Sequence, residues 1–222
     1  MKRAVATGLA ALLAFATAGR ADLVILQKVE GGGQLTDQTI KIKGDKARSD
    51  LTPTVSMLTD GETGETITLM HSARTYLKVP AEQTKAMMEQ FQKMRPNAEP
   101  GKLQPTGKKE KIGDYDCEIF TVNAGALTVT YWIAKDFPNY PAVLAQLEKF
   151  QSGAISAMGK GTMPALKDFP GMIMKTEIDL GGKKTISTLV SAKEENVDPA
   201  IFKIPAGYKE ITSPGLNFQQ PK

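Results

Sequence analysis

The chain predicts a mainly β fold of the α+β class, an antiparallel sheet with two amphipathic helices. Three observations carry this. Runs of residues with a period of two recur from residue 23 onward, and such alternation marks strands with one face buried. The turns between them are short and rich in Gly, Asp and Asn, so neighbouring runs must pair antiparallel. Only two stretches, opening at Pro80 and Pro141, space apolar residues as a helix does.

Taken in order, "LVILQKV" is the first strand. "QTIKIKGDKARSDL" holds two alternating runs around Gly44-Asp45, a two-residue hairpin signal. Val55 to Thr59, Glu65 to Met70 and Thr75 to Val79 extend the meander through "DGETG" and "HSAR". "PAEQTKAMMEQFQKMR" then lines up Thr84, Met87, Met88, Phe91 and Met94, with Pro80 in a tolerated first-turn position and Pro96 as a stop. "NAEPGKLQPTGKKEK" reads as a Pro/Gly-rich loop, and its basic run as a solvated turn.

"DCEIFTVNAGALTVTYWIAKD" gives two strands, with Leu127, Val129, Tyr131 and Ile133 on one face and Thr128, Thr130 and Trp132 on the other. "YPAVLAQLEKFQSGAISAMGKG" is the second helix, its stripe running through Val143, Leu144, Leu147, Phe150, Ala154, Ile155 and Met158. Further on, Met174, Thr176, Ile178 and Leu180 are expected to share an apolar face opposite Lys175, Glu177 and Asp179. Gly181-Gly182 turns into "KKTISTLVSAK". At the end, Asp198-Pro199 fits a capped turn, Pro205 and Gly207 a bend, and Tyr208 to Ile211 a last short strand that clasps the sheet.

"MKRAVATGLAALLAFATAGRAD" begins with two cations, continues through an apolar run, and exits through small residues. That is the pattern of a secretory signal peptide, cleaved after Ala18 or Ala21. Export to the periplasm or beyond follows. Residues 1–21 are thus expected to leave, 22–211 to form one domain, and 212–222 to be a polar tail. Lys2, Arg3 and Arg20 leave with the leader and no acid does, so 25 basic residues face 24 acidic ones. A balanced chain offers no electrostatic ground for binding nucleic acid or a strongly anionic membrane surface. Cys117 is the only cysteine, so no internal disulfide can form, and its strand setting predicts a buried, inert thiol.

Catalytic chemistry is poorly supplied. His71 is the only histidine, and its turn predicts an exposed side chain. One histidine and one cysteine cannot build a zinc site, and no G-x-S-x-G elbow presents a serine. "GKGTMP" lacks phosphate-loop spacing. The carboxylate pairs Glu194/Glu195 and Asp114/Asp116 could serve glycoside hydrolysis only by facing one cleft at a set separation, which adjacency in sequence does not show. No catalytic residue, metal or cofactor is therefore expected. Methionine is the positive feature: Met87, Met88, Met94, Met158, Met163, Met172 and Met174 concentrate around the helices. Core filling, an adaptable apolar ligand surface, and thioether ligation of Cu(I) all use such residues. Met172-Ile173-Met174 is read as a diverging strand pair, which counts against copper.

The phrases "IKIKGDKAR", "DGETGETITLMHSARTYLKVP", "DYDCEIFTV", "YWIAKD" and "FKIPAGYKE" are similar to an uncharacterised family of exported bacterial proteins, a domain of unknown function. The order of elements resembles the periplasmic lipoprotein-carrier (LolA/LolB-like) fold. That resemblance implies a curved antiparallel sheet forming an incomplete half barrel, with two helices and loops over its concave face. It further implies a hydrophobic cavity lined by Met87, Met88, Phe91, Met94, Val143, Leu147, Phe150 and Met158. The expected function is non-catalytic binding or carriage of a lipid, acyl chain or lipoprotein in the bacterial envelope. The alternatives are an envelope structural or interaction protein with no small ligand, then Met-based Cu(I) binding or an unrecognised hydrolase. Partner and oligomeric state are left open.

Overall fold

Two meanders, set edge to edge, make the molecule. The computed structural model describes residues 22–83, 85, 86, 90, 101–124, 127–151 and 164–212. The first meander contains β1 (Asp22–Gly31), β2 (Gln34–Lys43), β3 (Lys46–Thr52), β4 (Val55–Asp60), β5 (Thr66–Met70) and β6 (Thr75–Val79). The second contains β7 (Gln104–Ile112), β8 (Tyr115–Ala124), β9 (Leu127–Ala134), β10 (Met172–Leu180) and β11 (Lys183–Glu195). Helix α1 (Tyr140–Gln151) is inserted between β9 and β10, and β12 (Lys209–Glu210) follows a short 3-10 turn at Pro199–Phe202.

The twelve strands among the described residues form one sheet in the order β12-β6-β5-β4-β3-β2-β1-β11-β10-β9-β8-β7. Short turns force each hairpin. Gly44, at φ 63°, supplies the left-handed residue that the two-residue β2–β3 turn requires. The antiparallel β1–β11 ladder, Asp22 against Glu195 through Gly31 against Thr185, joins the meanders. β12 is the exception, pairing parallel to β6. The closing phrase therefore extends one edge of an open sheet; β12 and β7 stand at opposite edges and no barrel closes.

One buried cluster joins the meanders and marks the inner face of the first: Leu23, Ile25, Ile42 and Ala47 from β1–β3, with Cys117, Trp132, Ala134, Met172 and Met174 from β8–β10 and Val143 from α1. The cluster takes in residues of both meanders and Val143, and so seats α1 against the curved sheet. A second cluster, Phe120, Val122, Val129, Tyr131, Ile133 and Phe169, lies on the other face of β8–β9. Burial pushes the Tyr131 phenol up to about 12.

Several expectations are corrected here. β9 is not wet on one side: alternate residues Trp132 and Ile133 enter different buried clusters. "QPTGKKEKI" is a strand, not a loop or solvated turn. It passes for a loop because it is an exposed edge strand whose register slips between Pro105 and Lys109, around Gly107 at φ 73°. Residues 81–83, 85, 86 and 90 are helical, in agreement with a helix after Pro80, while its stripe Met87, Met88, Phe91 and Met94 lies outside the described residues.

Candidate functional site

Register makes the inner face readable row by row. Residues opposite one another across a ladder point to the same side. One row runs Ile25, Ile40, Ser49, Met57, Thr68, Leu77 across β1 to β6. The next runs Leu23, Ile42, Ala47, Thr59, Thr66, Val79. At the β1–β3 end these rows enter the sealed cluster beneath α1. Toward β6 the seal ends: Met57, Thr66, Thr68, Leu77 and Val79 are only half-buried. The wall changes along its length from a packed core to a partly open surface of thioether, aliphatic and threonine side chains.

α1 supplies two of the residues expected to line a cavity. Val143 is buried and Leu147 packs against the same cluster. Phe150 lies within α1 but its side chain, with Met87, Met88, Phe91, Met94 and Met158, falls outside the described residues. Met172 and Met174 do not diverge; both sit in the inner cluster at 6% and 4% exposure, as residues two apart on a strand should.

The inner cluster also touches a charge. The β9–β10 register shifts between Ile173 and Lys175, so that Lys175 faces Trp132. A bulge re-aims side chains in this way. The Lys175 ammonium lies 4.1 Å from the indole centroid, and the indole N–H donates to Glu110 at 2.6 Å. The expected continuous face Met174–Thr176–Ile178–Leu180 is thereby broken. Met174 enters the inner cluster, whereas Ile178 and Leu180 pair with Val129 and Leu127 of the opposite one.

On the outer face of β2–β5 lies a polar cluster. Asp50 Oδ1 accepts from Arg48 Nε at 2.7 Å and from Ser56 Oγ at 2.6 Å, and Asp50 Oδ2 from Lys41 at 3.3 Å. Ser56 Oγ accepts from Arg48 Nη2 at 3.1 Å and lies 2.7 Å from His71 Nε2. His71 Nδ1 is 2.7 Å from the Tyr208 hydroxyl. His71 is thus half-buried and bonded through both nitrogens, not exposed, because the returning C-terminal segment covers its turn.

A serine beside a histidine invites a nucleophile–base reading, and the proton inventory decides against it. The single Ser56 proton goes to the carboxylate, which can only accept. His71 must then donate from Nε2 to Ser56, while its Nδ1 bonds to the Tyr208 hydroxyl. The nitrogen facing the serine already holds a proton, and Ser56 is 1% exposed. The cluster serves as a clasp, with Arg48 Nη1 also binding the Ile201 carbonyl at 3.1 Å. A second tie binds Val197: its N–H donates to buried Asp22 at 2.9 Å and its carbonyl accepts from Lys43 at 3.2 Å. Cys117 is fully buried, and burial pushes its thiol up and keeps it protonated. Among the described residues no group of three or more His, Cys, Asp or Glu could hold a metal ion.

Residues 25–208 match the family model described as a domain of unknown function, DUF4412. The chain belongs to the DUF4412 family. No curated protein matches it in sequence. Among solved structures it is similar to PNGF-II in two crystal forms, at 13% and 12% identity and TM-scores of 0.42 and 0.43. Those matches cover 88% and 87% of this chain but 31% and 32% of PNGF-II, so the DUF4412 chain spans about a third of that protein. It is also similar to a DUF1329 family protein from Desulfovibrio piger ATCC 29098, at 11% identity and a TM-score of 0.33, over 84% of this chain and 91% of the other.

In this DUF4412 chain the polar clasp was partly visible in sequence. Lys41 stands opposite Arg48, two residues from Asp50, across the Gly44-Asp45 turn. The contribution of His71 and Tyr208 was not, since 137 positions separate them.

Proposed function

We propose that this protein is an exported, non-catalytic binding or carrier protein for a lipid or a lipid-modified partner of the cell envelope. The observation that carries this reading is the inner wall at β4–β6, where Met57, Leu77 and Val79 are half-buried beside the threonines Thr66 and Thr68. Flexible apolar side chains on a concave, partly open surface suit an acyl chain, because such a surface adapts to its ligand without rebuilding the core. The leader-like residues 1–21 support export. The likeness of its strand and turn phrases to exported proteins, and of its element order to lipoprotein carriers, points the same way.

A second reading, an envelope structural protein that takes no small ligand, is favoured by the sealed half of the inner face. There Val143 is 4% exposed and Trp132 is 7% exposed. Native mass spectrometry of protein purified from its own envelope, with uptake of a fluorescent fatty acid, separates the two. Carriage predicts co-purifying lipid and saturable uptake. Bare protein that takes up no probe would sink it in favour of the structural reading.

A further inference from the structure

Four ladders carry one side of β1 across to the second meander. On β1, Gln27, Val29 and Gly31 alternate in step with the buried Leu23 and Ile25 and share their side. The shift in the β1–β11 ladder skips Val190 on β11 and leaves that alternation intact. Val29 stands opposite Ser187, Ser187 opposite Thr176, Thr176 opposite Tyr131, and Tyr131 opposite Phe120. One row further, Gly31, Thr185, Ile178, Val129 and Val122 align in the same way. The cluster of Phe120, Val122, Val129 and Tyr131 therefore lies on the same side of the sheet as the inner wall of β4–β6.

Apolar surface opens twice on this side. The first area is the wall of Met57, Leu77 and Val79. The second prolongs the sealed β8–β9 cluster: Leu127 is half-buried, Ile178 is 39% exposed and Leu180 59%. A polar belt on β11, β1 and β2 separates them, where Gln27 Nε2 donates to Gln38 at 3.1 Å and the Ser187 hydroxyl donates to Gln27 Oε1 at 3.0 Å. The acids nearby, Glu30, Asp37, Glu177 and Asp179, take the alternate positions of their strands and belong to the opposite side, as do Lys184 and Leu35. Lys183, opposite Leu180, is the one charged residue in the rows of Ile178 and Leu180. An aliphatic strip bordered by threonine and free of acids repeats the chemistry of the β4–β6 wall, and it suits the same class of ligand.

We propose that Leu127, Ile178 and Leu180 form a second acyl-binding strip, so that one protein molecule takes two acyl chains, one here and one on the β4–β6 wall. This rests on the carrier reading and deepens it by fixing the number of chains. Native mass spectrometry with palmitate, kept below its micelle concentration, tests it. The wild type is expected to hold two palmitates at saturation, and the Ile178→Thr/Leu180→Thr variant one. Threonine keeps the β-branching that strands favour, so the melting curve stays unchanged. Stearate carrying a nitroxide on its chain gives a reading without substitution: it broadens the methyl signals of Ile178 and Leu180 as well as that of Met57. One palmitate per wild-type chain, two that the variant keeps, or broadening confined to Met57 overturns the strip and leaves the carrier reading standing. A dimer that the variant dissolves, with one palmitate per chain, assigns the strip to a second copy and overturns it too. Wild type that holds no palmitate overturns both.

Discussion

Tyr208 and His71 show how a single side chain seats a distant segment. The Tyr208 hydroxyl bonds to Nδ1 of the histidine, and that bond helps hold the C-terminal segment on the outer face. Tyr208→Phe is expected to cost about 1 kcal/mol, the usual net worth of a hydrogen bond, seen as a Tm fall of about 2–4 °C for a domain this size. Ser56→Ala removes more, about 1–3 kcal/mol, because buried donors of Arg48 and His71 lose their acceptor. Chemical denaturation checks both; equal stability of Ser56→Ala and wild type would contradict the clasp. Asp50 adds a pH signature. Burial pushes its carboxyl up, but the bonds from Ser56 and Arg48 and the charges of Arg48 and Lys41 together outweigh burial and hold it below the usual value of 3.8. A depressed carboxyl stabilises above its unfolded value, and that stabilisation is lost as pH falls through the folded one. The stability gap between wild type and Asp50→Asn should therefore shrink from about pH 5 to pH 2, read from urea midpoints across that range.

At the scale of elements, what could be read from sequence and what could not divide by range of interaction. The β2–β3 hairpin was legible because alternation and the Gly44-Asp45 turn are both local. The β7 strand was not, because edge exposure, Pro105 and a register slip erase the alternating pattern. The aim of Lys175 was also hidden, since a bulge is a property of a strand pair and neither strand alone encodes it. For the site, the helix stripe put Val143 and Leu147 on one side and both pack on the inner cluster, whereas the wall of β4–β6 needed the register of five ladders to appear. Gly171, just before β10, marks another pairwise constraint. A Cβ there would overlap the Ala134 carbonyl and come within 2.8 Å of the Lys135 Cα, both of them backbone. Gly171→Ala is expected to destabilise by about 1–3 kcal/mol through forced backbone displacement at the entry to β10. Hydrogen exchange should show the loss concentrated in the β9–β10 ladder; a neutral effect would mean the strands separate freely there.

For the whole molecule, the fold follows from two sequential meanders that share the β1–β11 ladder and pack on α1. The C-terminal segment then crosses the outer face and is tied at Asp22, Arg48 and His71 before pairing with β6. This arrangement leaves the two faces with different tasks. The outer face of the first meander is occupied by the protein's own segment, and the inner face grades from sealed to half-open. The central claim is that an acyl ligand uses that half-open wall. Methyl NMR of methionine-labelled protein titrated with palmitate tests it directly. The Met57 methyl should shift with saturation, while Met172 and Met174, sealed in the inner cluster, should move far less. Palmitate that leaves Met57 unmoved, or that perturbs only Met172 and Met174, would contradict the account.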